Sequence, residues 1–225
     1  VQGDFVDLGC GNGALSGALR GRAAGRTLTG IDTSPAMLTK ARATGNYDEL
    51  QKADAATWSP SRPLAVIFSN AALHWLDGHE HLMPRLAALL APGGTLAVQM
   101  PHQNKAPSHR VWVELAEKLF PACVERMSRP GVMAPVKYEA ALSPLGQFRL
   151  WETEYHQKLS AESDSHPVRR FTESTYARPI LQALDSDQRK ELVLRYEEVM
   201  HAIYPLRDDG SVLFPFRRLF FTLTV

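Results

Sequence analysis

The first hundred residues alternate short apolar runs with amphipathic stretches of helical length. FVDL (5–8) reads as a buried strand, ALSGALRGRAA (14–24) as a helix and TLTGI (27–31) as a second strand. Thr33, Ser34 and Pro35 supply a capping hydroxyl and a first-turn proline for the helix that follows. LQKA (50–53) is a weak third strand and LAVIFSN (64–70) a strong fourth. HEHLMPRLAALL (79–90) is helical and stops at Ala91-Pro92-Gly93-Gly94, and TLAVQM (95–100) is a fifth strand. Strands separated by helices of this length predict right-handed crossovers and a mostly parallel, doubly wound α/β sheet.

After Pro101 the rhythm changes. RVWVELAEKLF (110–120) is helical, and a stretch bearing proline and glycine runs on to about residue 146. FRLWETEYHQKL (148–159) is a long strand, VRRFTESTYARPILQAL (168–184) and SDQRKELVLRYEEVMHAIY (186–204) are helices, and RLFFTLTV (218–225) closes the chain as a strand. The expectation is one domain over 1–225, with its core in 1–100 and in strands near 148–159 and 212–225. A helical cap, about 101–146 and 160–210, is expected over the sheet's carboxyl edge, where open α/β sheets bind ligands.

Composition narrows the partners. A hydrophobic fraction of 44% and a charged fraction of 22% describe an ordinary globular chain, and a net charge of +1 gives no electrostatic reason to expect nucleic acid or an anionic membrane. The richest apolar stretch, LAALLAPGGTLAVQM, is broken by Pro92-Gly93-Gly94, so no membrane span is expected. Cys10 and Cys123 form neither a framework nor a CxxC pair, which suits a reducing cytoplasm; a cytoplasmic monomer is the expectation.

The chemistry concentrates after the first strand. Gly9-Cys10-Gly11-Asn12-Gly13-Ala14 satisfies the G-x-G-x-x-G/A pattern of a nucleotide-binding turn, but a tight turn without a ligand uses such glycines too. The acidic residues decide the ligand. Asp7 stands two residues before the first glycine, where a carboxylate repels phosphates and suits an ammonium group; fixing the turn is its bland alternative. Asp32 ends the second strand, placed to accept from two ribose hydroxyls, and Asp54 follows the third, where a carboxylate meets an exocyclic adenine amine. One carboxylate at each of three strand ends suits a cationic, phosphate-free nucleoside, S-adenosylmethionine. An NAD-dependent oxidoreductase is disfavoured by Asp7.

DLGCGNG, GIDTSPAML, ADAATW and LLAPGGTLAVQMP together resemble class I S-adenosylmethionine-dependent methyltransferases, which have a Rossmann-like fold. SNAALHWL, LAVQMP, WETEYHQ, ARPIL, YPL and FRRLFF are similar to trans-aconitate methyltransferases along most of the chain. The resemblance implies cofactor contacts at Asp7, Gly9, Cys10, Gly11, Gly13, Asp32, Thr33, Met37, Asp54, Ala55 and Asn70, leaving S-adenosylhomocysteine as product. It also implies a helical segment before the first strand, which this sequence does not include.

The implied reaction is esterification of a carboxylate on a small polycarboxylic acid. Such an acceptor is ionised near neutral pH, since reference carboxyl pKa values lie near ~4, so no general base is required. Arg178 in ARPIL and Arg218 in RRLFF are the expected carboxylate clamps, and Tyr204 in IYPL is a further donor. His74 and Trp75 are positioning candidates beside the transfer point; no catalytic residue and no metal site is assigned. Arg217 stands where relatives tend to have proline, as an added charge near the acid or a residue turned to solvent.

Bland readings accompany the rest. Arg178 also suits a surface charge, Arg218 also suits pairing with an acid of the protein, and His74 also suits a structural role. His79-Glu80-His81 reads as a solvated helix start, and Arg169-Arg170 as surface charge. The alternatives are a methyltransferase of another acid, such as malonyl-carrier protein, and a non-catalytic module that only binds S-adenosylmethionine.

Overall fold

The computed structural model describes residues 1–124 and 131–225, with the side chains of Cys123 and Val124 outside the description. The described residues form a seven-stranded sheet. Its strands are β1 (Phe5–Leu8), β2 (Leu28–Asp32), β3 (Glu49–Lys52), β4 (Leu64–Asn70), β5 (Leu90–Pro101), β6 (Gln147–Leu159) and β7 (Val212–Thr224), in the order β3-β2-β1-β4-β5-β7-β6. The pairs among β1 to β5 are all parallel. β7 runs antiparallel to β5: Gly93 N–H donates to Val225 O at one end, and His102 N–H to Arg217 O at the other. The strand order reverses at β1 and β4, so their carboxyl ends open the crevice where such sheets take ligands.

The helices follow the apolar periodicity, with boundaries that tertiary contacts move. They are α1 (Ser16–Ala23), α2 (Pro35–Ala43), α3 (His79–Ala87), α4 (Pro107–Leu119), α5 (Pro121–Val124), α6 (Pro135–Leu142), α7 (Pro167–Glu173), α8 (Arg178–Gln182) and α9 (Ser186–Ile203). Ser34 caps α2 by accepting Met37 N–H, with Pro35 in the first turn, as the sequence predicts. Three boundaries have a clear physical cause. α3 stops at Ala87 because Leu90 already pairs with Leu64 in the sheet. The helix expected over 168–184 is two pieces, interrupted where Ala177 N–H turns back onto Thr172 O. The last strand begins at Val212, since Val212, Phe214 and Phe216 are buried ahead of Arg218.

The chain divides into two compact units. The first holds Val1–Pro101, 131–153 and Leu219–Val225; the second holds 102–124 and Glu154–Arg218. Residues 131–146, expected in the cap, therefore belong with the sheet core, because Tyr138 and Leu142 of α6 are buried in it alongside Phe221. That first core is largely aliphatic, with Val6, Leu8, Ile67 and Leu96 nearly inaccessible. The second core is aromatic: Trp112 of α4 stacks on Tyr196 of α9 with centroids 3.7 Å apart, beside Phe214 and Phe216. No helix among the described residues is long and apolar enough to cross a membrane.

Candidate functional site

The glycine turn is shaped by what lies against it. Gly9 has φ +79°, and a side chain there would collide with Cβ of Ala72, so only glycine lets the β4 loop cross so closely. The turn is anchored from β2, where Ile31 O accepts the N–H groups of both Gly9 and Cys10, at 2.8 and 2.9 Å. Gly11 (φ +54°) sends its N–H to Asp32 Oδ2 at 2.9 Å, while Oδ1 of the same carboxylate accepts Ser34 N–H at 2.8 Å. Asp32 thus ties the glycine turn to the start of α2.

A cavity of about 310 Å³ opens beside these bonds, within the range of small-molecule clefts, roughly 300–1,000 Å³. Its lining includes Gly9, Gly11, Asp32, Thr33, Asp54 and Ala55, all expected from sequence. Trp75 lines it as well, 47% exposed, with its ring 4.6 Å from that of His74, which is buried. Asp7, Cys10, Gly13, Met37, Asn70 and His74 do not line it. Asp7 lies beneath the turn, where its Oδ2 accepts from Tyr47 Oη at 2.6 Å. Burial pushes its carboxyl up to about 6, the Tyr47 bond works against that rise, and the charge of Asp32 adds to it. Cys10 is buried, its thiol pushed up to about 12 by burial and by the carboxylates of Asp7 and Asp32, so it is no nucleophile.

Several lining residues were not singled out by the sequence. Ala71 takes φ +53°, rare for a residue with a side chain and costing roughly 1–2 kcal/mol, and it directs Ala72 across Gly9. The only local signal was a pair of small residues directly after a strong strand. Arg85 of α3 also escaped notice: its guanidinium donates to Ala55 O at 2.6 Å and Trp58 O at 2.9 Å, bracing the loop that follows Asp54. Asp54 folds that loop by accepting Ala56 N–H at 2.8 Å.

The cavity fits S-adenosylmethionine on two observations. A Cβ at Gly11 would meet no atom within 4 Å, so that position faces open space which a side chain would fill. Among the described residues, the charged ones in the lining are Asp32 and Asp54, a set hostile to a diphosphate and favourable to a sulfonium and its ammonium group.

The other sequence candidates lie in the second unit. Arg178 is exposed at the start of α8 and makes no ion pair among the described residues. Tyr204 is buried against Phe214, and its carbonyl accepts from His166. Arg218 is half-buried over the rings of Phe216 and Tyr155, 5.1 and 5.7 Å from their centroids, and its Nε donates to Tyr155 Oη at 3.0 Å. Arg217 turns outward and pairs with Glu154 at 3.0 Å. Two readings need correction. His79 is not solvated: it is fully buried between Tyr138 Oη and Leu73 O, while Glu80 and His81 are exposed. Arg169 is not surface charge: it is largely buried, bonded to Glu173 and Glu197, whereas Arg170 is exposed.

Comparison with known proteins agrees with this geometry. Residues 6–98 match the family described as "Methyltransferase domain". Among solved structures, the YcgJ protein from Bacillus subtilis superposes with a TM-score of 0.61 at 14% identity, covering 99% of this chain and 92% of that one. An S-adenosylmethionine-dependent methyltransferase from Mesorhizobium loti gives 0.53 at 18% identity over 99% and 92% of the two chains. These share the fold. The trans-aconitate 2-methyltransferase of Methylobacterium radiotolerans is 37% identical over 223 residues, and that of Methylobacterium nodulans 39% over 219. In each case the alignment covers 96% of this chain and 84% of the relative. With that identity over that length, on a doubly wound sheet whose glycine turn is framed by carboxylates, this chain belongs to the trans-aconitate 2-methyltransferase family of S-adenosylmethionine-dependent methyltransferases.

Proposed function

We propose that this protein esterifies one carboxylate of trans-aconitate, taking the methyl group from S-adenosylmethionine. The observation that carries the reading is a cavity whose charged lining is purely acidic, in a chain 37–39% identical to relatives named for that reaction. Bound S-adenosylmethionine supplies an electrophilic methyl group on a sulfonium. The chain's own work is to bind, orient and exclude water. Asp32 holds the turn and presents its carboxylate to ribose hydroxyls, Asp54 faces the adenine side, and Trp75 walls the cavity. The acceptor carboxylate is already ionised at neutral pH, so no proton must be removed from it, and well-oriented proximity alone is worth roughly 7–11 kcal/mol.

Arg218 and Arg178 are the proposed clamps for the carboxylates that do not react, since a guanidinium grips a carboxylate with two parallel hydrogen bonds. Tyr155 and Phe216 support this role for Arg218 by holding its side chain in one orientation. Tyr204 is the proposed additional donor. A free small acid in the cytoplasm is the expected acceptor, in keeping with the unpaired Cys10.

The test is transfer of label from methyl-labelled S-adenosylmethionine to a panel of trans-aconitate, cis-aconitate, citrate and malonyl-carrier protein, read as base-labile ester. Preferential labelling of trans-aconitate is expected. Label on malonyl-carrier protein instead would overturn the acceptor, and binding of the cofactor without transfer to any acid would leave only a cofactor-binding module.

A further inference from the structure

The hydroxyl of Tyr47 is spent on a carboxylate that the cavity itself does not reach. Tyr47 stands between α2 and β3, forty positions from Asp7, and donates to its Oδ2 at 2.6 Å. Its ring occupies space that neighbouring glycines leave open. A Cβ at Gly30, which is level with Asp7 in the β1–β2 register, would come within 2.9 Å of the ring, and one at Gly13 within 3.2 Å. The ring therefore packs under the glycine turn with its hydroxyl aimed inward.

Asp7 has no cation beside it among the described residues. It is faced by the Tyr47 hydroxyl, by the Cys10 thiol of the turn and by the Asp32 carboxylate of β2; its β4 neighbour is the uncharged Phe68. Burial holds both the thiol and the phenol above their ordinary ranges, so both stay protonated and the phenol can only donate to the carboxylate. A buried carboxylate without such a donor would take up a proton instead.

We propose that Tyr47 is a positioning residue for the cofactor, because its hydrogen bond keeps a negative charge at Asp7 under the turn against which a cationic ligand is held. This rests on the reading of S-adenosylmethionine as cofactor. Removing the hydroxyl while keeping the ring should leave Asp7 partly protonated up to neutral pH and weaken binding over that range. Raising the pH should restore the charge and the affinity with it.

The experiment compares wild type, Tyr47→Phe and Asp7→Asn in the full chain. The Asp7 carboxyl carbon is titrated by NMR without ligand, and S-adenosylmethionine affinity is measured by calorimetry from pH 5 to 8.5. Variant affinities are also expressed as ratios to wild type at each pH, so that titration of the cofactor's own amine, near ~8, cancels from the comparison. In wild type the carboxyl should titrate near 6, with affinity falling on acidification through the same point. Tyr47→Phe should move both midpoints upward by about one pH unit, with a loss of about fivefold at pH 6 that shrinks to about twofold at pH 7 and closes as pH rises further. Asp7→Asn should bind weakly and show no such limb. Unmoved midpoints in Tyr47→Phe, a loss constant across pH, or unimpaired binding by Asp7→Asn would overturn the inference alone. Failure of wild type to bind the cofactor at any pH would overturn the functional reading along with it.

Discussion

The acidic cluster of the first unit and the ion pairs of the second handle charge in opposite ways. In the first, Asp7, Asp32 and Asp54 gather around one turn and one cavity, and none of them pairs with a basic side chain among the described residues. In the second, Arg169 is closed by Glu173 and Glu197, Arg217 by Glu154, and Lys158 by Asp209. Burial is the main reason the carboxyl of Asp7 is elevated, and the nearby charge of Asp32 adds to it. A fold keeps such an arrangement where a ligand brings the opposite charge. Pairs already closed within the protein have no such demand, so their charge is structural. Arg218, held over Tyr155 and Phe216 with its Nε donating to Tyr155 Oη, is proposed with Arg178 and Tyr204 to face substrate.

The largest effect should come from Asp32→Ala, which removes the proposed ribose acceptor and frees the N–H groups of Gly11 and Ser34 together. Calorimetry should show affinity for S-adenosylmethionine falling about 100-fold, the sum of two charge-assisted hydrogen bonds. A loss below threefold would break the idea that the acidic set awaits a ligand. Next, Arg218→Ala should raise KM for trans-aconitate at least about tenfold with cofactor affinity unchanged, and Arg218→Lys should recover part of it. Arg217→Ala should stay within about twofold, because that side chain is exposed and spent on Glu154. Equal effects at the two positions would erase the distinction between them.

Arg85→Ala tests the bracing beneath Asp54. Loss of two charge-assisted bonds to the carbonyls of Ala55 and Trp58 should raise KM for the cofactor severalfold and leave kcat at saturation nearly unchanged. The smallest expected effect concerns the second unit's stability. His109 lies buried beside Ser108 and Tyr176, and burial pushes its pKa down to about 3. The unfolded chain therefore binds a proton that the fold refuses. This contribution is full above about pH 6.5 and is lost progressively as pH falls toward 3. Between pH 7.5 and 5 the melting temperature should drop by several degrees, and His109→Gln should flatten that slope.

Strands β1, β2, β4 and β5 were legible because each buries residues in a short local run that needs no knowledge of its partner, whereas β3, with only Leu50 half-buried, gave a weak signal. Asp32 and Asp54 were legible for a related reason: a strand end in a doubly wound sheet has a known relation to the crevice, so spacing alone places the side chain. The second half was harder to read. Residues 168–184 carry one helical pattern, yet the chain breaks it between α7 and α8 to turn Ala177 back on Thr172. In β7 the buried positions change phase, from Val212, Phe214 and Phe216 to Leu219, Phe221 and Leu223, as the strand passes from one core to the other at Arg217 and Arg218. Period-two reasoning has no means to foresee such a change, because the partner surface sets it.

What the sequence determined by itself is the parallel α/β core, the glycine turn and the sign of the charge around it. These follow from local periodicity, backbone freedom and residue type. Tertiary structure alone decided that Asp7 is buried, that Tyr47 is its donor, that Arg85 braces the loop after Asp54, and that His79 and Arg169 point inward. Each of those facts depends on atoms brought together from distant positions in the chain. Burial and hydrogen bonding belong to the neighbours a side chain meets, and only the folded chain supplies them.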